Sequence, residues 1–126
     1  MPDVEAMKAT VDAYIERMSA GDKDGWVDLF ADDAYMEDPV GTPRHEGREA
    51  IGAFWDMVQA MSDRMWIERT GPIRVAGHEA AFPMQAHSET GDAKLVVDII
   101  DVFAFDDAAR ITGMRAFWDM NEMRPE

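Results

Sequence analysis

The sequence predicts an α+β fold in one domain spanning residues 1–126, with helices first and a mostly antiparallel sheet after them. Three observations carry this. Apolar residues recur at helical spacing through the first third of the chain. From Met65 onward, β-branched and aromatic runs alternate with turn residues. A length of 126 residues suits a single hydrophobic core. Runs of helices followed by runs of strands belong to the α+β class rather than to an alternating α/β one.

The elements follow in order. Val4, Met7, Val11, Tyr14, Ile15 and Met18 form one apolar helical stripe. Ala20-Gly21-Asp22 stops that helix, and Asp22 can cap a second, short one through Trp26, Leu29 and Phe30. Ala34 to Asp38 reads as extended, and Pro39, Gly41 and Pro43 make a loop. A third helix follows Gly47 and turns Ile51, Phe54, Trp55, Val58 and Met61 inward. Strands are expected over 65–70, 73–75, 80–89, 93–105 and 110–119, with turns at 90–92 and 106–109. Pro83 is expected to mark a bulge or a sheet edge. A curved sheet wrapped around the long helix would enclose a pocket.

Composition narrows the function. Net charge is −14, so there is no basic footprint for nucleic acid, and polyanionic substrates would be repelled. No apolar stretch is long enough to span a bilayer. Zero cysteines exclude disulfide and thiolate chemistry. With no signal-like region in Met1–Glu5, these features suit a cytoplasmic protein. His45, His78 and His87 lack metal-binding spacing, and neither a phosphate loop nor a nucleophile elbow is present.

The chemistry-bearing candidates are acids. Asp101 lies in Leu95–Phe105, the most apolar run of the chain, which reads as a strand covered on both faces. Burial there should raise its pKa, keep it protonated at neutral pH, and let it donate a hydrogen bond. The alternative is a misplaced acid rescued by a bulge or a local hydrogen bond. Asp98, three residues earlier, faces the other way. Tyr14 on the helical stripe is either a core tyrosine bonded to a carbonyl or a donor into a pocket. Asp38, before Pro39, is either a turn residue or a carboxylate held at a pocket mouth, where it could move a proton between carbon atoms. Val97 and Ile99 share the Asp101 face; Phe82, Met84, Met114 and Trp118 are further candidates for an apolar lining.

Taken together, three blocks of the chain resemble the bacterial Δ5-3-ketosteroid isomerases. They are Gly21-Asp22 through Leu29-Phe30-Ala31-Asp32-Asp33-Ala34, then Glu37-Asp38-Pro39-Val40-Gly41, and Gly47-Arg48-Glu49-Ala50-Ile51. Ile100-Asp101-Val102-Phe103 and Met114-Arg115-Ala116-Phe117-Trp118 extend the likeness, which runs from about Met7 to Asn121. Glu-Asp-Pro-Val-Gly is its most specific part. Much of the rest is shared with the wider nuclear-transport-factor-2-like (NTF2-like) superfamily, including SnoaL-like cyclases, dehydratases and non-enzymes.

The resemblance implies a conical α+β barrel, a homodimer, and a deep pocket for a small apolar steroid, with no cofactor or metal. It puts the general base on Asp38, with a low ionisation expected in the pH profile, and the oxyanion-hole donors on Tyr14 and Asp101. It adds Trp55 to the pocket lining, at a position where some members carry a tyrosine bonded to the oxyanion-hole tyrosine. Trp55 has only an N–H donor and Phe30 has no polar group, so the network around Tyr14 must differ. Two other readings share the fold: a steroid-binding protein without turnover, and a polyketide cyclase or dehydratase.

Overall fold

A computed structural model describes residues 1–126. Helix α1 spans Val4–Ala20. Asp3 caps its first turn by accepting from the Ala6 amide at 3.0 Å, and Gly21 ends it at φ +73°, a left-handed conformation that glycine adopts without strain. Met7, Val11, Tyr14 and Met18 are buried, whereas Val4 at the helix start is exposed. Asp22 caps α2, Lys23–Val27, by accepting from the Gly25 amide.

The next strand starts earlier than the sequence suggests. Strand β1 runs Phe30–Glu37, taking Phe30 out of the expected helix. It pairs in parallel with β7, Ile111–Phe117, starting from Phe30 opposite Ile111. That partner is some eighty residues away, so local periodicity does not reveal it. The short strand β2, His45–Glu46, leads into α3, Gly47–Ala60. Ile51, Phe54 and Trp55 are buried on α3, but Met61, expected inside, is 66% exposed just past its end.

The remaining strands are β3 (Arg64–Arg69), β4 (Arg74–Ala76), β5 (Glu79–Thr90), β6 (Ala93–Phe105) and β8 (Arg124–Pro125). The curved sheet has the order β2-β1-β7-β6-β5-β3, with β4 on β5 and β8 on β6. Its ends, β2 and β3, do not pair with each other, so the sheet is open rather than closed into the expected barrel. Pro83 lies neither at an edge nor in a bulge. Strand β5 pairs without a break along β6, and Pro83 occupies the gap where the other neighbour changes from β3 to β4. There the Pro83 carbonyl accepts from the Thr70 amide (3.0 Å), outside both ladders, and its missing N–H breaks no ladder bond to β3 or β4.

Two hydroxyls fix α1 diagonally across the sheet. Thr10 donates to the Ala109 carbonyl (2.8 Å) in the β6–β7 turn. Ser19 both donates to and accepts from the backbone of Ile67 on β3 (2.9 and 3.1 Å). Tyr14 lies between these ties. On β6, Val97, Ile99, Asp101, Phe103 and Phe105 face the core. The opposite face of this strand is open within the single chain, with Ile100 52% exposed and its cross-strand neighbour Phe117 42% exposed.

The C-terminal segment is held to the sheet at His87. Its ring stacks on Trp66, and its two nitrogens face Glu68 (2.7 Å) and Glu126 (2.9 Å). Burial pulls the His87 pKa down, but hydrogen bonding and charge from the two carboxylates outweigh it and raise the pKa.

Strand β7 contains a glycine, Gly113, against which a neighbouring ring packs closely. A Cβ on Gly113 would sit 2.6 Å from the ring of Tyr35, its partner on β1. Gly113→Ala should therefore destabilise the protein by about 1–3 kcal/mol, read from the midpoint of denaturant unfolding. The cost should shrink in a Tyr35→Ala background; an equal cost in both backgrounds would rule out this contact as its cause.

Candidate active site

Between α1, α3 and the inner face of the sheet is a cavity of about 470 Å³. Of its 23 lining residues, 17 are hydrophobic, so it suits a compact apolar ligand and not a nucleotide. Its polar groups are few, and Tyr14 and Asp38 are two of them.

Asp38 is placed by strand pairing. It follows the last residue of β1, and Trp118 follows the last residue of β7. Because the two strands run parallel, with Glu37 opposite Arg115, both residues emerge at the same end of the sheet. The Trp118 Nε1–H donates to Asp38 Oδ1 at 2.6 Å, and Oδ2 accepts no hydrogen bond. Burial raises the Asp38 pKa to about 6, offset in part by the Trp118 hydrogen bond. A low ionisation was expected for this residue. The apolar surroundings move it upward, because one neutral donor stabilises a carboxylate less than water does.

Asp101 has no exposed surface, and neither of its carboxyl oxygens has a hydrogen-bond partner. Its cross-strand neighbours, Phe82 and Ala116, are themselves buried. Burial, and then the negative charge of Asp38, hold its pKa well above the usual carboxylate range, which favours the protonated form. No bulge or local bond rescues it: the register of β6 with β5 is continuous through Asp101.

Tyr14 is 2% exposed, and its ring packs edge-on against Phe103, two residues beyond Asp101 on the same face. Burial, then Asp101, then Asp38 raise its pKa, while the Trp26 side chain lowers it. The phenol therefore keeps its proton. The three candidates from the sequence thus lie within electrostatic reach of one another, although Asp101 stands behind the cavity wall rather than on its surface.

The expected lining divides. Met84, Val97, Ile99 and Trp118 line the cavity. Trp55, Phe82 and Met114 do not; they are buried in the core behind it. The reading of the sequence found Met84 but missed six other methionines, among them Met18, Met57, Met61 and Met65; seven of the eleven face the cavity. Flexible, polarisable side chains suit a wall that must conform to an apolar ligand. Their helical and strand spacing looks like ordinary core, so no sequence signal separates them. The bond from Trp118 to Asp38 was equally hidden, since it depends on the parallel register.

Comparison with known proteins places the chain. Residues 11–114 match the SnoaL-like domain family. Over 117 residues, covering 93% of each chain, it is 38% identical to a steroid Delta-isomerase from Nocardioides simplex. A solved structure of the epoxide hydrolase/cyclase-like enzyme SalBIII, described for its role in pyran ring formation in the polyether salinomycin, superposes with a TM-score of 0.90 at 26% identity over the whole of both chains. The chain is therefore a SnoaL-like member of the NTF2-like superfamily and a homologue of steroid Delta-isomerase.

Proposed function

We propose that the protein is a steroid Delta-isomerase that moves the double bond of a Δ5-3-ketosteroid into conjugation. The observation that supports this most is the pairing of two desolvated acids, Asp101 buried and Asp38 at the cavity, with opposite tasks. Asp38, with a pKa of about 6, is mostly ionised at neutral pH, whereas burial and the charge of Asp38 push Asp101 toward its protonated form. The steroid enters the methionine-lined cavity with its 3-ketone innermost. Asp38 Oδ2 takes a proton from C4 while the Trp118 hydrogen bond holds Oδ1 in place. Negative charge moves onto the C3 oxygen, where Tyr14 and neutral Asp101 donate to it. To reach Asp101 the ketone must part the inner cavity wall. The carboxyl loses no protein hydrogen bond in meeting it, because it has none. Asp38 then returns the proton to C6. Every atom transferred belongs to the steroid, and no redox change occurs.

A cyclase reading has one observation in its favour, the whole-chain superposition on the cyclase-like enzyme. The identity to the isomerase is higher, 38% against 26%, and the acid pair supplies what a C4-to-C6 proton shift needs. Mixing the protein with 5-androstene-3,17-dione separates the two readings. Growth of conjugated-enone absorbance supports the isomerase, and its absence at high enzyme concentration would remove it.

The outer sheet face supports a homodimer. Ile100 and Phe117 form an exposed apolar cross-strand pair there. Both subunits carry a net charge of −14, so apolar burial must drive association, and added salt should not weaken it. Light scattering at micromolar concentration should give a dimer mass, and Ile100→Asp should give a monomer. A wild-type monomer would contradict the assignment.

Asp38→Asn should lower kcat/KM by on the order of 10² to 10⁴ while phenolic steroids still bind. In the wild type, kcat/KM should fall as pH drops through about 6, where the base becomes protonated. Stability moves the other way. A raised carboxyl pKa means that the folded state disfavours the ionised form, a cost that grows as pH rises from 3.8 to about 6 and then stays constant. The Asn variant should thus be more stable at pH 7, by up to about 3 kcal/mol, and match the wild type below pH ~4. Equal stability at both pH values would show that the folded site does not raise the Asp38 pKa.

Asp101→Asn should keep part of the activity, because an amide N–H still donates. Asp101→Leu should lose about 10² to 10³ in kcat, the cost of one missing oxyanion donor. The decisive measurement is their ranking. A Leu variant as active as the Asn variant would make Asp101 structural.

A further inference from the structure

Three buried side-chain polar atoms in the protein lack a hydrogen-bond partner: the two carboxyl oxygens of Asp101 and the indole Nε1 of Trp26. The reaction proposed above uses Asp101 but leaves Trp26 without a task. Trp26 has no exposed surface. Three aromatic rings pack on it: Phe30 (4.9 Å between centroids), Trp55 (5.1 Å) and Tyr14 (5.6 Å). Phe30 has no polar atom, and Trp55 is a donor only. Among these neighbours Tyr14 alone offers an acceptor.

We propose that Trp26 is a positioning residue for Tyr14: its buried indole N–H, unpaired in this structure, meets the phenol oxygen after a small shift of the packed Tyr14 ring, and this directs the Tyr14 proton into the cavity. The argument rests on donor inventory. A phenol has one proton and can also accept. Beside a tyrosine or serine, its proton could turn toward that neighbour, away from a ligand. Beside an indole it can only accept, so the proton stays available for the ligand oxygen. Accepting a hydrogen bond also makes a phenol the better donor, as each bond in a chain polarises the next. Among burial, Asp101, Asp38 and Trp26, only Trp26 favours the ionised form of Tyr14.

The indole is well anchored for this role. Its backbone amide donates to the Asp22 carbonyl (2.9 Å), and Arg17 Nη1 ties the preceding residue, Gly25, to α1 (2.6 Å). Arg17 lies three residues beyond Tyr14 on the same helix, so one element carries both the phenol and the tie that holds its donor.

The catalytic consequence rests on the isomerase reading; the contact itself does not. The chain has four tryptophans, so indole-labelled protein gives four N–H resonances, and Trp26→Phe assigns one of them. Removing the phenol oxygen with Tyr14→Phe should move the Trp26 indole proton upfield and leave the other three nearly in place. An unmoved Trp26 resonance overturns the proposal, whether or not the protein turns over a steroid. With 5-androstene-3,17-dione, Trp26→Phe should lower kcat about fivefold, the worth of one ordinary hydrogen bond, with KM nearly unchanged. In a Tyr14→Phe background the same change should cost almost nothing further. An equal loss in both backgrounds would reduce Trp26 to packing. Should Trp26→Phe fail to fold, benzothienylalanine at position 26 keeps the bicyclic shape, lacks the N–H, and carries the same two expectations. Absence of turnover in the wild type would instead count against the isomerase reading, and the indole shift would still decide the contact.

Discussion

The structure depends on a carboxyl group held dry in the middle of a sheet. Asp101 has no exposed surface and no partner for either oxygen. Burying a polar group without a hydrogen bond opposes folding. The penalty is limited because the group stays protonated, since an uncompensated buried charge would cost far more than a neutral acid. The surrounding core must make up the difference. The fully buried residues include Phe82, Phe103 and Met114, two of them on the flanking strands and one two residues further along β6. The side chains that offset the cost of Asp101 are thus the ones that keep water from it.

From that constraint comes the electrostatic character of the site. Tyr14, Asp38 and Asp101 each lose solvation, and the charge of Asp38 raises the pKa of both others. Such a group tolerates one negative charge readily and a second one poorly. At rest the charge sits on Asp38. In the proposed reaction, proton abstraction neutralises Asp38 as charge appears on the steroid oxygen, so the total never changes. The dienolate replaces the carboxylate as the single anion, and Tyr14 and Asp101 face it already protonated. Little reorganisation is needed at the moment of reaction, which is where preorganised donors have their value.

Two features of the fold hold these groups in register. The parallel pairing of β1 with β7 brings Asp38 and Trp118 to one end of the sheet. The Thr10 and Ser19 hydroxyls tie α1 to the β6–β7 turn and to β3, which sets Tyr14 above β6. Neither feature is part of the cavity, yet both aim its polar groups. The methionines do the opposite work. They form a compliant wall around a few fixed polar atoms, a combination that suits a ligand recognised mainly by one ketone and by its apolar bulk.

The sequence by itself determined the helices, most strand limits, the opposite facing of Asp98 and Asp101, and the burial of Asp101. These are set by local periodicity, capping residues and the alternation of a strand, all of which act within a few residues. The tertiary structure decided what depends on partners far along the chain. The parallel β1–β7 register drew Phe30 into a strand and placed Trp118 on Asp38. The sheet stayed open, Pro83 fell in a gap between two neighbours, and Met61 ended at the cavity rather than in the core. The pKa of Asp38 belongs to the same class. A carboxylate beside a proline looks solvated when read along the chain. It moves to about 6 only because folding surrounds it with apolar side chains and supplies a single neutral donor in place of water.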